Sequence, residues 1–155
     1  GAFGALVIRS DVERKALLGR EATDRLPETA YSAEMNASVH ERLLDKARAA
    51  LTAGAVVIID AVNAREPERR DFKTLARKAG ADFDGLWLEA GADALEARVE
   101  ARVGDASDAT AEVVQRQLRY DVGDLSGFAR IRADGPAPAT LQAARRALTG
   151  EGAGG

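Results

Sequence analysis

The sequence predicts an α/β fold, a parallel sheet with helices on both faces. Three observations carry that prediction. Short apolar runs alternate with helical stretches along the whole chain, the pattern of successive βα units. One of them, Val56-Val57-Ile58-Ile59, is an unbroken β-branched run, the kind buried on both faces of a parallel sheet. That run ends in an acid, Asp60, followed by a short loop and a proline, Pro67, suited to the first helical position. Glu66 precedes the proline and is disfavoured in helical geometry.

In order, Ala5 to Ile8 reads as a first buried strand, closed by Arg9-Ser10-Asp11. A helix follows, with Val12, Leu17 and Leu18 apolar and Gly19 as its stop. Glu21 to Tyr31 has mixed polarity and no clean period, so it reads as loop or short turns. Ser32 to Ala53 is a long helix: Val39, Leu43, Leu44, Ala47 and Leu51 recur at helical spacing, and Gly54 ends it. After the Val56–Ile59 strand, Pro67 to Ala79 is a helix with Phe72, Leu75 and Ala76 inward, ended by Gly80. Phe83 to Ala90 holds a third strand (Leu86, Trp87, Leu88), and Asp93 to Val103 the next helix (Leu95, Val99). A polar break, Gly104 to Asp108, precedes a helical stretch from Ala109 to Tyr120. Gly127 to Ala133 is a fourth strand and Ala139 to Leu148 a last helix.

The totals fit one soluble-type globular domain over residues 1–149, with 150–155 a flexible tail. Net charge is −3 with both signs interleaved, which argues against a nucleic-acid surface. There is no cysteine and a single histidine, His40, so thiolate metal sites, disulfides and histidine-built metal centres are not expected. No stretch approaches the roughly 18 apolar residues of a membrane span. A cytoplasmic enzyme domain is the expectation. The chain opens GAFGALVIRSD without a methionine, and the reading is of a piece of something longer.

Candidate chemistry gathers at strand ends. Asp11 and Asp60 each close a strand, and in a parallel sheet both emerge at one edge, where ligands bind in open α/β folds. Paired acids there can hold Mg²⁺ through water or take a proton from a hydroxyl; the plainer alternative is that each caps the next helix. Arg14, Arg65, Arg69, Arg98 and Arg102 stand near three strand ends, and their planar forks suit phosphate oxygens. For any one of them a solvated helix face, paired to Glu68, Glu96 or Glu100, is the competing reading.

The ordered set of Asp11-Val12-Glu13-Arg14, Asp60 to Arg65, and Arg98-x-x-x-Arg102 before Gly104-Asp105-Ala106-Ser107-Asp108 resembles P-loop kinases of the adenylate-kinase-like group. It is most similar to the zeta-toxin and gluconate-kinase-like small-molecule kinases. More closely, it looks like the ATP-binding half of bacterial proteins that fuse an aminoglycoside-phosphotransferase-like domain to a P-loop kinase domain. The likeness covers most of residues 5–149.

That resemblance implies ATP-dependent phosphoryl transfer to the hydroxyl of a small-molecule acceptor, with ATP and Mg²⁺ as cofactors and a fused or adjacent phosphotransferase-like domain as partner. Asp11 would orient or deprotonate the acceptor hydroxyl, and Arg14 would hold the acceptor or its phosphate. Asp60, counted with Asp11 among the catalytic residues, would support Mg²⁺ through water or support the acceptor, and Arg65 would lie on the acceptor side. Arg98 and Arg102 would be lid arginines on the transferring phosphates, with Arg102 counted among the catalytic residues. Asp134 and Gly135 would lie where the adenine pocket is partly built. Acceptor contacts would fall in Glu21–Tyr31 and the following helix.

One departure is large. The family opens with a strand and GxxxxGK[ST], whose backbone N–H groups cradle the phosphates; these residues hold no such motif. The first strand here resembles the family's second, and the family's sheet order is 2-3-1-4-5. The strands at Val56–Ile59 and Leu86–Leu88 would then flank the place of a central strand. Either they leave a slot there or they pair directly, and the slot is the expectation. A module that binds nucleotide or a partner without catalysis, its phosphate loop lost, is the alternative function.

Overall fold

A computed structural model describes residues 4–101 and 120–150. The chain is α/β with parallel strands, and its contacts divide it into two compact units: described residues 4–82 form one, and 83–101 with 120–150 the other.

In the first unit, β1 (Leu6–Arg9) pairs in parallel with β2 (Val57–Asp60), in the register Leu6↔Val57, Val7↔Ile58, Ile8↔Ile59 and Arg9↔Asp60. Between them run α1 (Ser10–Leu17), a 3-10 turn (Glu28–Tyr31) and α2 (Ala33–Thr52). After β2 comes α3 (Glu66–Ala79). The helix α2 lies against both strands and both neighbouring helices. Its buried residues, Val39, Leu43 and Ala47, are four apart and so form one stripe. With Ile8, Phe72, Leu75 and Ala76 they make the core. Ser32 caps α2, its Oγ accepting the Met35 N–H at 3.2 Å. Gly80 ends α3 in the left-handed region, φ 68°.

Two expectations change here. The β2 strand is not buried on both faces: Val56 and Ile58 are 61% and 49% exposed, as is Val7 at 53%. Residues two apart share a face, so Val56 and Ile58 lie with Val7 on the side away from Ile8, which is 3% exposed. The other change is in α1, whose buried residues are Glu13, Arg14 and Lys15, while Leu17 and Leu18 are 38% exposed. Each charge has partners of its own: Lys15 Nζ donates to the Ala22 carbonyl at 3.0 Å, and the partners of Glu13 and Arg14 are given below. The helix α3 also starts one residue early, at Glu66, because at the first turn a pre-proline residue needs little of the helical geometry it otherwise resists.

In the second unit, β3 (Gly85–Glu89) pairs in parallel with β4 (Phe128–Arg132), with Leu86↔Ala129 and Leu88↔Ile131 in register. The helix α4 (Ala92–Ala101) follows β3, and α5 (Ala137–Thr149) follows β4 and packs on it. Among the described residues of this unit, Ile131, Ala133 and Leu125 are buried. Leu88, expected inside, is 59% exposed.

Among the described residues each sheet therefore has two strands, β1-β2 and β3-β4. Ile58 pairs with Val7, and Leu86 to Leu88 pair with Ala129 to Ile131, so the direct pairing of the second and third strands is not among the described pairings. Counted as the second to fifth strands of a 2-3-1-4-5 order, both observed pairs are neighbours that this order requires. The expected helix at 109–120 lies outside the described residues except for Tyr120, a bend, and the expected tail at 150–155 lies outside them except for Gly150, which caps α5.

Candidate functional site

The parallel register sets the site's first contact. Because Arg9 stands directly opposite Asp60 at the carboxyl ends of β1 and β2, the Arg9 guanidinium reaches across and donates from Nε to Asp60 Oδ2 at 3.0 Å. Both side chains stay open to solvent, 35% and 58% exposed. Asp11 follows immediately, in the first turn of α1 rather than at the strand's end. Asp60 thus ends β2, and Asp11 lies two residues beyond the end of β1, the strand paired to it in parallel.

Arg14 points inward. Its side chain is 7% exposed, Nη1 donates to the Ala30 carbonyl at 3.0 Å, and the guanidinium lies over the Tyr31 ring, 4.5 Å from its centre. Burial lowers its pKa, with Tyr31 and Asp11 acting in the opposite direction; an arginine stays charged regardless. Arg14 thereby ties the 3-10 turn to α1. Beside that turn is an open recess of about 370 Å³, lined by Leu18, Arg20, Leu26, Pro27, Thr29 and Met35 among others. This is the Glu21–Tyr31 segment and the start of α2. The leucine that α1 leaves uncovered, Leu18, is one of its walls.

Below the recess, α1 is clamped to α2 by a carboxylate that the sequence did not single out. Glu13 accepts from Lys46 Nζ at 2.6 Å and Arg42 Nε at 2.7 Å, its side chain 6% exposed. Burial alone would raise its pKa; the hydrogen bonds and charges of Lys46 and Arg42 outweigh burial and lower it. On the other side of α2, His40 Nε2 meets Asp71 Oδ2 at 3.0 Å and its ring stands edge-on to Phe72. His40 therefore serves the α2–α3 contact.

After Asp60 the chain passes through Asn63, a non-glycine residue at φ 44°, to Arg65, which precedes α3 and is exposed. Arg69, 3% exposed, reaches back from α3 and donates Nη1 to the carbonyls of Asn63 at 2.8 Å and Ala64 at 2.7 Å.

In the second unit Asp134, 38% exposed in its side chain, is a tie. Its Oδ1 accepts the Gly91 N–H at 2.6 Å and its Oδ2 accepts Arg132 Nη2 at 2.9 Å, joining the chain after β3 to the end of β4. Arg132, not foreseen, is 87% exposed in its side chain. A Cβ on the next residue, Gly135, would meet open space. Arg98 is carried by α4; its side chain, Arg102 and the Gly104–Asp108 segment lie outside the described residues.

A family model described as AAA domain matches residues 1–121. The chain belongs to the AAA domain family. That assigns it to the P-loop, nucleotide-binding type of α/β domain, in agreement with the parallel strands and the acids at their carboxyl ends. No curated protein matches the chain. Domains of this P-loop type bind nucleotide with Mg²⁺. Among the described residues no three acidic, histidine or cysteine side chains gather as a metal cage. At the first unit's edge Asp60 offers one carboxylate, 58% exposed, whose Oδ2 accepts from Arg9 Nε. That suits Mg²⁺, which is usually held by one or two carboxylates with substrate phosphates and water. Among the described residues no helix is long and apolar enough to cross a membrane.

Proposed function

We propose that this AAA domain catalyses ATP-dependent transfer of a phosphoryl group to a hydroxyl of a small molecule, as the part of a P-loop kinase domain that carries the acceptor side. The observation that carries the reading is the edge at which Arg9 and Asp60 meet, with Asp11 two residues beyond Arg9 in the first turn of α1, and the recess at Leu18–Met35 in the same unit. A carboxylate such as Asp11 can orient or deprotonate a hydroxyl nucleophile. Asp60 supports a metal through water. Bound Mg²⁺ would neutralise phosphate charge during transfer. Arg65, exposed at the same edge, suits an acceptor or its phosphate, and Arg98 and Arg102 suit the transferring phosphates. In this reading Arg14 acts by holding the 3-10 turn that borders the recess. Asp134 and Gly135 are proposed near the nucleotide base.

The phosphate cradle GxxxxGK[ST] is not among these residues, so the reaction is proposed for the domain joined to a strand and loop of that kind. The zeta-toxin and gluconate-kinase-like group remains the proposed subfamily, and a cytoplasmic location goes with it. The test is direct. The chain joined to such a segment is incubated with labelled ATP, Mg²⁺ and a panel of sugars, polyols and amino alcohols. Label appearing on a hydroxyl of one of them supports the reading. ATP binding with no transfer to any acceptor favours the alternative, a nucleotide-dependent interaction module.

A further inference from the structure

The segment from Asp60 to Arg65 carries two of the chemistry-bearing groups of the first unit, yet it is short, partly exposed and contains a residue in an uncommon conformation. Asn63 sits at φ 44°, a region that is unfavourable for a non-glycine residue unless its surroundings enforce it, although asparagine tolerates it best. Ala64 is 8% exposed. The carbonyls of Asn63 and Ala64 need donors, because unpaired buried backbone groups are expensive.

Arg69 supplies both. It lies one helical turn beyond Arg65, to whose carbonyl its own N–H bonds at 3.4 Å, and its Nη1 donates to both loop carbonyls at 2.8 and 2.7 Å. At 3% exposure it has no role on the surface. Charge-assisted bonds from a guanidinium are about twice as strong as neutral ones, and a rigid fork loses little freedom in making them.

We infer that Arg69 is a positioning residue: it holds the loop after β2 in the one shape that sets Arg65 at a fixed place relative to Asp60. The consequence for an acceptor rests on the kinase reading above; the positioning itself does not. It divides the arginines near Asp60 by task, Arg69 shaping the edge and Arg65 facing solvent at it.

The test compares amide spectra and hydrogen exchange of the chain with those of Arg69→Met and Arg69→Lys. In Arg69→Met, the amides from Asp60 to Arg65 should shift, and that of the buried Ala64 should exchange about tenfold faster or more as local opening becomes easier. Val39, Leu43 and Ala47 should stay as they are. Arg69→Lys should restore part of the loop's protection, since an ammonium can donate to the same carbonyls. An unchanged loop in Arg69→Met, changes spread equally through α2, or no restoration by lysine would overturn the inference. Should Arg69→Met fail to fold, Arg69→Lys decides alone: a folded chain with a protected loop supports the inference, and any other result overturns it. None of these readouts measures phosphoryl transfer, so this inference and the kinase reading fail separately.

Discussion

Arg9 and Asp60 are partners in the β1–β2 register and partners in an ion pair, Nε to Oδ2 at 3.0 Å. A cross-strand pair at a sheet's carboxyl end fixes where the Asp60 carboxylate stands. Its contribution to stability should be small, because both side chains are open to water, 35% and 58% exposed. Arg9→Ala should lower unfolding free energy by less than about 1 kcal/mol, and less again at high salt. Urea titrations at two salt concentrations check this. A loss of several kcal/mol would mean that Arg9 is part of the core.

Glu13 should make the fold acid-sensitive. Its pKa is lowered in the folded chain because the bonds to Lys46 and Arg42 outweigh the effect of burial. The stability it contributes is present above the unfolded glutamate value, about 4.3, and is lost as pH falls from there through the lowered folded value. Glu13→Gln should therefore lower the melting temperature at pH 7 and leave a smaller further loss below pH ~4 than the unsubstituted chain shows. At neutral pH the loss should be about 1–2 kcal/mol, reduced from the usual worth of bonds to charged groups because Arg42 and Lys46 are 40% and 46% exposed. Parallel acid-side losses in both proteins would assign the sensitivity elsewhere.

Gly85 is required by its neighbour on β4. A Cβ there would lie 2.5 Å from Phe128 Cδ1, and that ring also meets Phe83 edge-on at 5.9 Å between centres. Gly85→Ala must push the ring out of this contact, and should cost about 1–3 kcal/mol, the range for an overpacked interior. Denaturant unfolding and the near-ultraviolet signal of the aromatic residues report it. A neutral or stabilising effect would show that Phe128 moves freely.

The sequence made the four described strands and their parallel sense legible, because β-branched and apolar runs alternate with helical spacing. It placed Asp60 at its strand's end for the same reason. It misjudged what the strands face, since Val56, Ile58 and Leu88 read as interior yet are 61%, 49% and 59% exposed; an apolar run reports a preference for burial, not the presence of a cover. It also misjudged α1. Leucines at 17 and 18 suggested an apolar inner face, whereas Glu13, Arg14 and Lys15 turn inward to meet distant groups, Arg42, Lys46 and Ala30 among them. Such partners far apart in sequence leave no local pattern. Arg69 was visible as one arginine among several near Asp60, and only the fold separates it from Arg65.

The chain as it stands should bind ATP poorly. Most phosphate contacts in a P-loop domain come from backbone N–H groups of GxxxxGK[ST], absent from this sequence. Titration calorimetry with Mg-ATP should show no binding in the micromolar range. Micromolar affinity would mean that other residues hold the phosphates, and would set aside the proposed division of labour.

Phosphoryl transfer itself tests the account most directly, through Asp11. In the domain joined to a strand and GxxxxGK[ST] loop, and with whichever acceptor the panel identifies, ATP affinity and transfer rate are measured for the parent and for Asp11→Asn. Asp11 opens α1 beside the Arg9–Asp60 pair, on the proposed acceptor side. The account predicts that ATP affinity stays within a few-fold while the transfer rate falls about 10²–10⁴-fold, the usual cost of losing a general base. An Asp11→Asn protein that folds, binds ATP and transfers phosphate at the parent rate would contradict it and leave Asp11 a residue of the α1 helix start alone.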